Sequence, residues 1–244
     1  MPKIVFRVAA VVIPLITISL IYFLLNQKPQ TFTQQTTTQT LSDTLSDGSV
    51  ISMNKNSKLT YNEEFDDKKR EVSMEGEVFF DVKPDKEKPF IIHAETTLIQ
   101  VLGTSFNISS YSDSNDITVF VKTGRVSFSE TSNETSITLE AGETGVYNKT
   151  TQKLSKITEG NENALFWKDK TLIFNRTKLL EVVETLQKYY NVEITLKNVE
   201  LKNLHFTTTF KEQPIDSILE VIANTFDLKI SKDGTTYILE QNEE

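Results

Sequence analysis

Glu77-Val78-Phe79-Phe80-Asp81-Val82 decides how the larger part of this chain folds. Val78, Phe80 and Val82 share one face of an extended backbone, and Glu77, Phe79 and Asp81 share the other. That period of two marks a strand with one face in a core. Ile117-Thr118-Val119-Phe120-Val121 repeats the pattern. Outward from these two runs, short alternating stretches of β-branched and aromatic residues are separated by Gly, Asn, Asp and Lys. Asp47-Gly48, Glu75-Gly76, Thr123-Gly124 and Ala141-Gly142 read as turns that need a positive φ. Ten to twelve short strands without a helical stripe predict one all-β domain over residues 47–158, a sandwich or a solenoid.

Beyond Gly160 the punctuation thins to Pro214 and Gly234, and the period changes to 3.6. Leu179, Val182, Val183, Leu186 and Tyr190 mark one helix face, with Thr177 available as its cap. Ile215, Ile218, Leu219, Ile222 and Phe226 mark a second, with Pro214 at its start and Asp216 in its first turn. The two stripes superpose without gaps at an offset of 36 residues, and the match continues from Val192 and Ile194 to Leu228 and Ile230. Residues 165–241 therefore read as a small α+β domain built from two βαβ repeats. Phe166 and Trp167, just before its first strand, are expected in the core at the domain junction.

The head of the chain is of another kind. Val8 to Leu25 contains no charged residue, long enough to cross a hydrocarbon core of about 30 Å. Residues 8–25 are thus expected to form a single N-terminal transmembrane helix, with Arg7 flanking it, Pro14 as a tolerated kink and Tyr22 at the interface. Lys3, Arg7 and Lys28 are uncompensated, so the first 30 residues carry +3 of a total of −8, and the rest carries −11. The positive flank places residues 1–7 in the cytoplasm and everything after residue 30 outside the membrane. A cleaved signal peptide is the competing reading, but no small-x-small site follows the apolar run. Residues 26–46, with the run TFTQQTTTQT, are too polar to bury much surface and read as a tether.

Composition excludes several chemistries. A net charge of −8 argues against general nucleic-acid binding, and zero cysteines exclude disulfides, thiol nucleophiles and thiolate metal sites. The two histidines, His93 and His205, lie 112 positions apart and suggest no metal site. Ser52-Met53-Asn54-Lys55 and Lys122-Thr123-Gly124 match fragments of penicillin-recognising enzymes. However, Ser52 lies in a strand pattern, where residues three apart face opposite ways, whereas that chemistry needs the serine to open a helix. No enzyme and no cofactor are expected.

Several ordered stretches carry a family resemblance. Asp47-Gly48-Ser49-Val50, Asn56 to Tyr61, Arg70-Glu71-Val72, Gly76 to Val82, Lys88-Pro89-Phe90 and Val101 to Ile108 resemble the FecR family of anti-sigma regulators over about residues 40–150. The tail from Trp167 to Glu240 is similar to the small domain that ends many such regulators, a relative of the signalling domain of TonB-dependent outer-membrane transporters. The resemblance implies a single-pass inner-membrane regulator of a Gram-negative bacterium with periplasmic domains. It would relay a signal from the signalling domain of a TonB-dependent transporter to an extracytoplasmic-function sigma factor. Only Met1 to Arg7 precede the apolar run, too few to wrap a sigma factor, so the expectation is a further segment before an internal methionine, another polypeptide that supplies that step, or a member that keeps only the periplasmic half. A partner of similar fold would dock by strand addition. The polar alternation of His205–Phe210 and Thr236–Leu239 marks these as candidate edges, with His205, Thr207, Thr209, Thr236 and Ile238 as contact residues. The alternative is a membrane-tethered periplasmic structural or ligand-binding module without a role in transcription.

Overall fold

The computed structural model describes residues 15–20, 22, 31–132, 135–158 and 160–242. Arg7, Pro14 and most of the expected membrane helix lie outside them. Leu15–Leu20 and Tyr22 are helical, and Leu15, Ile16, Ile18, Leu20 and Tyr22 are exposed. Among the described residues no helix is long and apolar enough to cross a membrane.

The first unit runs β1 (Thr31–Gln35), β2 (Leu41–Thr44), β3 (Val50–Met53), β4 (Lys58–Asn62), β5 (Arg70–Asp81), β6 (Phe90–Ala94), β7 (Thr97–Val101), β8 (Ser105–Ser110), β9 (Asp116–Thr123), β10 (Arg125–Glu130), β11 (Ser136–Glu140), β12 (Thr144–Asn148) and β13 (Lys153–Ile157). They form two sheets that share β5, in the orders β1-β4-β5-β6-β7-β10-β11 and β2-β3-β5-β8-β9-β12-β13. Of the two expected arrangements the sandwich forms. Val72 and Met74 from the first half of β5 and Val78 and Phe80 from the second enter one core, where Phe80 meets Phe90 of the opposite sheet edge-on at 6.1 Å.

The crossover happens at Gly76. Asp47-Gly48 and Ala141-Gly142 are loops as expected, and Gly124 is the single residue between β9 and β10, but Gly76 lies inside a twelve-residue strand. Its φ of +87° kinks the strand from one sheet into the other, the work of a bulge rather than a turn. At the kink the Asn54 N–H still reaches the Glu77 carbonyl at 2.8 Å, and the Ser57 hydroxyl serves both backbone polar groups of Glu77. It accepts from the Glu77 N–H at 2.9 Å and donates to the Glu77 carbonyl at 3.1 Å.

Part of the expected tether is strand. β1 pairs with β4 and β2 with β3, each as the outermost member of its sheet. A polar run is what an exposed edge strand requires, so the composition that suggested a tether is an edge composition. The segment is pinned between the strands by the buried Thr36, whose hydroxyl donates to the carbonyls of Asn54 and Ser57.

The second unit comprises β14 (Thr171–Lys178), helix α1 (Leu179–Tyr190), β15 (Glu193–Leu196), β16 (His205–Lys211), helix α2 (Ile215–Phe226), β17 (Leu228–Asp233) and β18 (Thr236–Gln241). The duplication is visible in the backbone itself. Arg176 and Glu212 both have positive φ, as do Asn191 and Asp227, and each pair lies 36 residues apart. The last pair terminates α1 and α2 in the left-handed conformation that asparagine and aspartate tolerate best. α1 is preceded by Lys178 with no side-chain cap, because the Thr177 hydroxyl instead accepts from the Asn175 N–H.

The repeats interleave. β14 pairs with β16, antiparallel, while β15 and β17 flank β18, with β15 parallel to it. Each repeat therefore places its two strands in different sheets, around a core that includes Leu172, Phe174, Leu186, Phe206, Ile222 and Leu239. The expectation of helices against one small sheet is corrected to two small sheets sharing two helices.

Candidate functional site

Two places in the molecule can do more than hold it together: an open strand edge in the C-terminal unit and the joint between the units.

β16 is bonded on one side only, and its His205, Thr207 and Thr209 side chains are not buried. The sister edge, on β14, is blocked. Asn163, in a short 3₁₀ turn, donates from its amide to the Ile173 carbonyl at 3.0 Å and accepts from the Ile173 N–H at 2.7 Å. The peptide groups of Ile173 thus face away from β16. Ile173 is directly opposite Thr209, so this is a non-hydrogen-bonded pair and the Thr209 N–H and C=O face the open side of β16. Phe206 and Phe210 alternate inward and anchor the strand. Thr207 is partly engaged, its hydroxyl accepting from the Arg176 N–H at the bulge of β14.

The other expected edge is corrected. Thr236–Leu239 belongs to β18, the middle strand of its sheet, so its backbone is already used on both sides. Thr236 donates to Glu193 and Ile238 is half-buried, which removes both as docking residues. Alternation of polar side chains reports a solvated face, not a free edge.

The joint uses the face of β5 that points away from the sandwich core. Phe79 and Phe120 bury there against Leu165, with Trp167 packed alongside. Lys168 lies 4.8 Å from the Phe79 ring centre and Lys122 at 5.9 Å, and Lys122 approaches Asp169 at 4.0 Å. Beside Phe79 sits Glu77, whose carboxylate accepts from the Asn54 amide at 2.7 Å and the Asn107 amide at 2.9 Å. Burial pushes this carboxyl above its ordinary pKa. The Asn107 and Asn54 hydrogen bonds, the Lys188 charge and the Trp167 indole oppose that rise without cancelling it. The indole N–H lies near enough to favour the charged form but makes no hydrogen bond of regular geometry. Across the joint, burial and then the Glu77 charge push the Tyr189 hydroxyl up to about 12.

A cleft of about 740 Å³ lies between the Gly160–Asn163 segment and α1, lined among others by Glu181, Glu184 and Lys188. No cluster of His, Cys, Asp or Glu among the described residues has the makings of a metal site. Ser52 is buried in β3 and bonded to Ser42, far from the geometry of a helix-borne nucleophile.

Known proteins resolve what these two units are. The profile of the FecR protein family matches residues 33–127, and that of the FecR C-terminal region matches residues 171–239. Two crystal structures of a candidate anti-sigma factor from Parabacteroides distasonis ATCC 8503, at 1.65 and 2.50 Å resolution, are similar to this chain. They share 28% and 27% of its residues, cover 87% and 88% of it over their own full length, and superpose with a TM-score of 0.58 each. A search of functionally curated proteins finds no significant match. One family profile falls on the sandwich and the other on the interleaved repeats, in chain order and together over about two thirds of the sequence: the chain belongs to the FecR family of anti-sigma factors.

Proposed function

We propose that this anti-sigma regulator is a single-pass inner-membrane protein that reads a TonB-dependent outer-membrane transporter in the periplasm. It passes the state of that transporter to an extracytoplasmic-function sigma factor. The observation that carries the reading is the open edge of β16 in a two-stranded sheet whose opposite edge, on β14, is already blocked by Asn163. A signalling domain of related fold can add a strand there through main-chain hydrogen bonds, with the side chains on either side setting selectivity. The exposed apolar helix at Leu15–Leu20 supports insertion into a bilayer, since such a face is unfavourable in water.

The test is a titration of the full chain in detergent micelles with the signalling domain of a TonB-dependent transporter encoded beside it. Thr209→Pro is the informative variant. Its missing N–H faces the open side, so the β14 ladder survives, and proline is tolerated at such edge positions. Expected are micromolar binding by the wild type and a loss of at least about tenfold in Thr209→Pro, the cost of one main-chain hydrogen bond plus a poor strand fit. Circular dichroism should remain unchanged. Wild-type affinity in Thr209→Pro moves the docking surface elsewhere, and no binding by the wild type ends the transporter reading.

A further inference from the structure

The joint between the two units is unusually ill-satisfied for a buried surface. Asn107 Oδ1, Trp167 Nε1 and Thr144 Oγ1 are buried there without a hydrogen bond, although groups so placed are nearly always paired. Thr144 adjoins the others through Phe120, its register partner, and through Gly160, where an added Cβ would lie 2.9 Å from its hydroxyl. The apolar part of the joint is small, three buried side chains and Trp167. In the middle of it stands a carboxyl group, held on the sandwich side by two amides and faced from the other side by the C-terminal unit. Seating that unit takes Glu77 out of water, which costs more when the group is charged.

We propose that Glu77 is a proton-operated latch on this joint: uncharged, it lets the C-terminal unit seat against the sandwich, and charged, it loosens that seat. The groups facing it set the balance. Lys188 and Tyr189 of α1 approach from the C-terminal unit, with Trp167 from the preceding turn. From the sandwich come the Asn54 and Asn107 amides and Tyr111, whose own hydroxyl feels the Glu77 charge. Lys122, Lys168 and Asp169 gather around the neighbouring Phe79 ring. Of these, Lys188 is the cation that favours the charged form. Because the seated state binds the proton more tightly, seating is favoured as pH falls and weakened as pH rises through the raised value.

The molecule carries its own reporter, since Trp167 is its only tryptophan. In the full chain in detergent micelles, Trp167 emission should shift to the red and cleavage of the 158–165 segment by a glutamate-specific protease should accelerate severalfold between pH 5 and pH 8. In Glu77→Gln both should be flat and stay at the wild-type pH 5 level. The glutamine fits, because Asn107 can turn its unbonded Oδ1 onto the new amide. In Lys188→Met the transition should move to higher pH. Glu77→Gln titrating like wild type, or a transition in Lys188→Met that stays put or moves to lower pH, overturns the latch. Should Glu77→Gln fail to fold by circular dichroism, the direction of the Lys188→Met shift decides alone.

Discussion

Arg70→Ala is expected to lower the stability of the sandwich by about 3–5 kcal/mol in urea denaturation, the usual cost of breaking a buried ion pair from one side. Arg70 is only 2% exposed at the start of β5. Its Nε donates to the Lys88 carbonyl at 2.9 Å, and one terminal nitrogen donates to Asp47 at 2.7 Å and to the Lys83 carbonyl at 2.8 Å. The guanidinium also lies 5.3 Å from the Phe90 ring centre. Removing it leaves a carboxylate and two carbonyls without their donor. Arg70→Lys should recover only part of the loss, since an ammonium cannot span the three acceptors as a planar fork does. The double variant Arg70→Met with Asp47→Ala should cost clearly less than the sum of its singles, and strict additivity would show that the pair is not what matters.

Asp47 adds a pH signature. Burial pushes its carboxyl up, but the hydrogen bonds from Ser49 and then Arg70, together with the Arg70 charge, outweigh this and hold it below its ordinary value. A carboxyl lowered on folding contributes stability above its unfolded pKa and loses it as pH falls through the folded one. The sandwich should therefore weaken in acid, and Arg70→Ala should flatten that dependence. Glu77, seven residues beyond Arg70 on β5, has the opposite sign, so the sandwich carries two carboxyl groups that respond to acid in opposite directions.

Gly76→Ala is the second large effect, expected at about 3–5 kcal/mol from a strained φ together with overpacking. A Cβ on Gly76 would lie 2.6 Å from the Ser57 hydroxyl and 2.7 Å from the Asn56 carbonyl, and the positive φ is unfavourable for any L side chain. Backbone cannot retreat as a side chain can. Since a domain of this size is stable by only about 5–15 kcal/mol, the variant should sit close to its folding threshold at 37 °C. Ser57→Ala combined with Gly76→Ala relieves one contact of three and should rescue little. Wild-type denaturation by Gly76→Ala would mean that β5 does not need its kink.

These two sites illustrate what period and composition can and cannot reveal. The alternation of Val78, Phe80 and Val82 told correctly which side chains share the core, because that follows from strand geometry alone. What covers Glu77 and Phe79 on the other face is decided by residues scattered along the chain, from Asn54 and Phe120 to Leu165, Trp167 and Lys188, and no local pattern carries it. Asp47-Gly48 was legible as a loop, yet Arg70 closing on it across 23 residues was not. The helices of the second unit were legible down to their 36-residue offset, since an apolar stripe and a left-handed terminus are both local. Their sheets were not, because whether β14 pairs with its own repeat or the other depends on competition between distant strands. Of the candidate site, His205 to Phe210 was placed on a real edge. The β18 prediction failed because a solvated face and an unpaired backbone have the same alternating signature.

The interleaving of the repeats also bears on cooperativity. Each small sheet in the C-terminal unit needs strands from both halves of the duplication, so neither half can melt while the other stays intact. Ordinary tandem repeats can fray from one end; here the first strand released, whichever it is, dissolves a sheet that the opposite repeat depends on. The unit is therefore an all-or-none element. A disturbance at the β16 edge reaches β14 and the Asn163 clasp at the joint without passing through any piece able to yield separately.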